Sequence, residues 1–112
     1  MRALLARDDA DAGLAIDVYV HRLRAAIAAM AASLGGLDAL VFTGGVGERA
    51  ARVRALAAGG LAFLGVELDD AANARASGDA EIGAPGAPAR ALVVTAREDL
   101  EVARQVRALL HR

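Results

Sequence analysis

No cysteine occurs anywhere in the chain. That excludes a disulfide framework and any thiolate nucleophile or ligand, and it accords with a reducing compartment. Lysine is missing too, since all 13 basic residues are arginine. Chemistry that needs an amine nucleophile or a phosphate-gripping ammonium is therefore excluded. Tryptophan is absent, and the aromatics amount to Tyr19, Phe42 and Phe63. No stacking platform, basic tract or zinc spacing accompanies the net charge of −1, so no nucleic-acid partner is expected. No apolar run approaches the ~20 residues of a membrane span. "MRALLARDDADAG" turns acidic too soon for a signal peptide. These absences lead us to expect a soluble, cytoplasmic protein without a membrane partner.

What is present is apolar material, 56% of 112 residues. That is enough for one core and one compact domain. Ile16, Val20, Leu23, Ile27, Met30 and Leu34 recur at helical spacing, predicting a helix over 11–34 with one apolar face. Asp9 or Asp11 can cap its start, and Gly35-Gly36 stops it. Such a stripe suits the chain's own core, a subunit partner or a coiled coil. "LDALVFT" (37–43) reads as a strand buried on both faces. A helix over 48–58 follows, with Val53 and Leu56 inward and Arg49 and Arg52 outward. "LAFLGVELD" holds an apolar turn or strand, and 69–77 a surface helix or loop. The turn-rich segment 78–88 has room for a short strand around Glu81-Ile82. "RALVVT" (90–95) is a second buried strand. A last helix, 97–110, points Leu100, Ala103, Val106 and Leu110 inward. The alternation indicates an α/β layered domain.

The stretch "LVFTGGVGER" carries the chemistry. A strand that ends in glycines and feeds a helix puts backbone N–H groups beside a helix N-terminus, which suits a phosphate or a closely approaching nucleotide. Glu48 can cap the turn or face ribose hydroxyls. The same glycines also serve a tight connection that needs positive φ. Gly45, Gly47 and Ala50 fit G-x-G-x-x-A, and Glu67 follows at a ribose-binding distance, so a Rossmann-type dinucleotide fragment is an alternative. Against it, a long helix precedes the strand and strands are too few for both halves.

The wider context is more specific. "DALVFTGGVGERAARVRALAAGGLAFLGVELD" resembles the segment D-A-[IV]-V-F-T-G-G-[IV]-G-E-N…G-L-x-F-L-G-[IV]-x-[LI]-D of the acetate kinase (acetokinase) family. "LAIDVYVHRLRAAIAAMAASLGGLDAL" resembles the helix upstream of it in that family, and "ARALVVTAREDLEVARQVRALL" the closing strand and helix. The match is collinear but covers only the C-terminal quarter to third of a family member. The resemblance implies the C-terminal lobe of an actin-like, ribonuclease H-like kinase of the acetate and sugar kinase superfamily, a mixed sheet flanked by helices.

It further implies ATP or ADP as substrate, with the adenosine end at Gly44, Gly45, Val46, Gly47, Glu48 and Arg49. Mg²⁺ is implied at Glu98, beside Asp99 at the start of the last helix. Arg49 replaces the usual Asn, and its planar cation can stack on adenine or reach a phosphate. Arg97 and Thr95-Ala96 depart from the family's residues before Glu98. Without the resemblance, Glu98-Asp99 reads as favourable charge at a helix N-terminus. The family's catalytic Asn, His and two Arg match nothing here, and His21 and His111 lie in no matching motif. No catalytic residue is therefore expected in this chain, and it should be nearly inactive alone. Acetate or propionate enters only with an N-terminal lobe. A homodimer is implied, and a non-catalytic nucleotide-binding or self-associating module is the alternative.

Overall fold

A computed structural model describes residues 1–111. A one-turn helix, α1 (Arg2–Leu5), leads into α2 (Ala10–Leu34). Asp9 starts α2 from an extended conformation, its carboxylate accepting the Ala12 N–H at 3.0 Å. Arg7 grips the same carboxylate through two nitrogens at 2.7 and 2.9 Å. That ion pair, with the cap bond, holds Asp9 below the usual carboxylate range. Gly35 ends α2 at φ 76°, its N–H returning to the Ala31 and Ala32 carbonyls.

Three strands form a mixed sheet in the order β1-β3-β2: β1 (Ala39–Phe42), β2 (Ala80–Glu81) and β3 (Arg90–Val93). β3 is central, parallel to β1 and antiparallel to β2. The register sets Leu40 beside Ala91 and Phe42 beside Val93. With a side-chain period of two, these four share the inner face. Phe42, Ala91 and Val93 pack there with Ala57 and Ile82, and Leu23 of α2 closes over them. The outer face is less covered, with Leu92 of β3 half-buried. Val41 is 48% exposed, which corrects the expectation that the first strand is buried on both sides. Helices cover only one face.

The β1-to-β3 crossover contains α3 (Gly44–Arg49), α4 (Ala51–Gly59), a 3₁₀ turn (Ala62–Leu64) and α5 (Asp70–Arg75). α4 lies against α2, tied by the Arg24 guanidinium to the Leu56 carbonyl. Gly60 leaves room for that guanidinium, where a Cβ would collide with it. A second small core joins Ala58, Leu61, Val66 and Ala89. Gly65 turns the chain into it at φ 83°, and a Cβ there would lie 2.8 Å from the Pro88 ring. Val66 and Leu68 make single bridges to Ala89 and Gly83 rather than a full strand. Asp69 caps α5 through the Ala72 N–H at 2.8 Å.

One expected apolar face stays uncovered at its C-terminal end and another along its whole length. Met30 and Leu34 are 62% and 74% exposed. The 25-residue α2 is about 37 Å long and outruns the nine-residue α4 packed along it. The last helix, α6 (Glu98–Leu110), buries nothing: Leu100, Ala103, Val106 and Leu110 are all exposed, not inward. Amphipathic spacing specifies an apolar face but does not supply its partner. The radius of gyration, 16.3 Å, accordingly exceeds the about 13 Å of a compact chain this long.

Candidate functional site

The glycine segment is helical rather than a loop. Thr43 is extended, Gly44 turns left-handed at φ 73°, and α3 starts there. It stops at Ala50 (φ −109°, ψ 79°), so the single helix expected over 48–58 is two. Val53 is buried, Leu56 half-buried, and Arg49 and Arg52 exposed. The glycines have separate reasons. Gly44 needs its positive φ. Gly47 passes so close to β1 that a Cβ would lie 3.2 Å from the Phe42 carbonyl carbon. Gly45 needs neither, and a Cβ there would meet no atom within 4 Å. The open space beside it is a cavity of about 300 Å³.

Gly45, Val46 and Arg49 line this cavity, with Met1 and, from α1, Arg2 and Leu5 also on its wall. Two guanidinium-bearing residues thus border a partly apolar hollow, a setting for a flat base and an anionic tail. Arg2 adds to the site residues expected from the sequence. Nothing local marks it, because its partners in the wall lie more than forty positions along the chain.

Glu48 neither begins α3 nor faces the cavity. Its carboxylate accepts the Ala96 N–H at 3.3 Å, linking α3 to the segment before α6. Asp79 holds the same segment. It accepts the Thr95 N–H at 2.8 Å and pairs with Arg97 at 2.9 Å. Glu98 follows directly, exposed as the first residue of α6. Tertiary structure therefore gathers Glu48, Asp79, Thr95, Ala96 and Arg97 at one junction, with Glu98 next in the chain. Glu101, further along α6, is held down to about 2 by Arg104 and Gln105.

The Thr95 N–H and the Arg97 guanidinium hold Asp79 below the usual carboxylate range. A depressed folded pKa stabilises above the unfolded value, and the contribution disappears as pH falls through the folded one. The junction should therefore hold at neutral pH and loosen only in acid. An NMR titration should show the Thr95 amide moving with a midpoint below 3.8, the ordinary Asp value. A midpoint at or above it would contradict the arrangement.

Among the described residues no group of three or more His, Cys, Asp or Glu can hold a metal. The donors at α6 suit a metal arriving with a nucleotide, because Mg²⁺ takes one or two carboxylates and fills its shell with water and phosphate oxygens. They do not suit a resident ion.

The dinucleotide alternative fails on topology. G-x-G-x-x-A lies within α3 and the residue after it. The segment 66–68 lies beside Ala89 and Gly83, whereas β1 pairs with β3. Glu67 therefore does not follow a strand adjacent to β1, where a ribose-binding acid must stand.

Comparison with known proteins agrees. The acetokinase family model matches residues 1–104. Acetate kinase of Gloeobacter violaceus is 56% identical over 97 residues, 87% of this chain and 24% of that protein. Acetate kinase of Rhodopseudomonas palustris is 49% identical over 106 residues, 95% of this chain and 27% of that one. The chain thus spans about a quarter of the curated relatives it matches. Among solved structures, Porphyromonas gingivalis acetate kinase superposes with a TM-score of 0.79 at 33% identity, covering 88% of this chain and 25% of that one. A Francisella tularensis propionate kinase gives 0.79 at 34%, covering 91% and 26%. The helix-rich mixed sheet is of the actin-like α/β class, and the chain belongs to the acetokinase family.

Proposed function

We propose that this chain is the nucleotide-binding C-terminal lobe of an acetate kinase. The reaction is transfer of the ATP γ-phosphoryl to a carboxylate oxygen of acetate, giving acetyl phosphate and ADP. The observation that carries the reading is the cavity facing Gly45, bordered by Arg2 and Arg49. Gly45 leaves space for the adenosine end, and the two arginines supply planar cations for base or phosphate. Bound with the nucleotide, Mg²⁺ would neutralise phosphate charge as a Lewis acid, and Glu98 is the residue that would hold it. In-line transfer depends on positioning and electrostatics, so catalysis requires the acyl-binding and phosphoryl-stabilising groups of the rest of a family-length chain. Acetate or propionate is the acyl acceptor under that condition.

Titration with Mg-ADP should move amide signals of Gly44, Gly45, Val46, Gly47, Glu48 and Arg49. Shifts confined to distant residues would contradict the site. Gly45→Val should weaken ADP about tenfold or more, the effect of filling space a ligand needs, while the fold survives. The open surroundings of Gly45 make that separation possible.

The second reading is a non-catalytic module that binds nucleotide or associates with itself. The uncovered apolar residues of α6, with Leu14, Val18 and Val41, favour association. A homodimer is the proposed state. Light scattering should give twice the chain mass, and a clean monomer at high concentration would refute it.

A further inference from the structure

Arg54 is the only buried charged side chain among the described residues, at 1% exposure. Its Nε donates to Asn73 Oδ1 at 2.7 Å, and one Nη donates to the Asn73 carbonyl at 2.8 Å. The other Nη donates to the carbonyls of Gly47 and Glu48 at 2.9 and 3.0 Å. Asn73 Nδ2 in turn donates to the Ala51 carbonyl at 2.9 Å. Among the described residues no carboxylate bonds this guanidinium.

The acceptors explain how the charge is tolerated. Gly47 and Glu48 lie in the last turn of α3, and Asn73 in the last turn of α5. Terminal helix carbonyls lack intrahelical partners and carry the negative end of the helix dipole. One cation thus satisfies two helix C-termini at once. Burial lowers its pKa, but a guanidinium remains protonated.

Both helices have six residues, too few to persist on their own, and α3 contains three glycines. Such a segment takes its position from outside contacts. We propose that Arg54, relayed through Asn73, is the positioning residue for the nucleotide-binding helix. It fixes the Gly47 and Glu48 carbonyls, and so the wall that Gly45, Val46 and Arg49 present to the cavity, without touching the ligand. This role rests on the nucleotide reading of the same helix.

The test compares Arg54→Lys, Arg54→Met and Asn73→Ala with the wild-type chain by amide exchange and Mg-ADP titration. Arg54→Lys and Asn73→Ala keep part of the network and should fold. Their Val46–Arg49 amides should exchange about tenfold faster and their ADP affinity should fall about tenfold, the scale of one lost charged hydrogen bond. Protection at Ala91–Val93 should be unchanged. Arg54→Met should show larger effects at the same residues. Exchange that rises equally in α3 and β3, or unchanged ADP affinity in the variants, overturns the positioning role and leaves the nucleotide site standing. A wild-type chain with no ADP-dependent shifts overturns both.

Discussion

The 112-residue chain, assayed alone with ATP and acetate, is expected to yield no acetyl phosphate above background in a hydroxamate assay. Groups that act together in a transition state contribute non-additively, so losing them removes nearly the whole acceleration. The groups that the family resemblance assigns to holding the carboxylate and stabilising the phosphoryl are expected to lie outside this chain. Arg2 and Arg49 border a cavity whose lining side chains include no carboxylate or imidazole to act as acid or base. Glu98 can at best orient a nucleotide-borne metal. Adding the remaining portion of an acetate kinase in trans should restore activity, and Glu98→Ala should then abolish most of it. Robust turnover by the chain alone would refute the proposed division of labour.

Ile82→Ala is expected to be the most damaging of the simple core truncations. Ile82 is fully buried beside Phe42, Ala57, Ala91 and Val93. Much of the core is alanine, so few bulky side chains carry the burial. Such a truncation costs about 2–5 kcal/mol, out of the roughly 5–15 kcal/mol that hold a domain together. The unfolding midpoint should drop by on the order of 10 °C or more. Leu110→Ala, at a site 78% exposed in the chain, should change stability by less than about 0.5 kcal/mol and serves as the control. Similar small shifts from both variants would show that the core does not depend on Ile82.

Much of the architecture was legible in the sequence because its causes are local. Asp9 and Gly35 bound α2 by cap chemistry that depends on a few adjacent residues. The apolar runs at 39–42 and 90–93 became strands, and the turn-rich segment between them yielded only a two-residue edge strand. The acetokinase family was also legible, since the glycine segment and its flanks resemble its motifs over most of the chain.

Tertiary structure decided what depends on residues meeting from far apart. Periodicity gave α6 an apolar face but could not tell that nothing among the described residues covers it. The apolar run of β1 implied two buried faces, yet only the inner one received helices. Arg2 entered the cavity wall, Glu48 turned to Ala96, and Arg54 went inward to two helix ends. An arginine in a helical pattern ordinarily stays in water, because burying its charge is costly. Arg54 is buried because the fold brings the unpaired carbonyls of α3 and α5 to one point. That convergence has no signature in the spacing of residues along the chain.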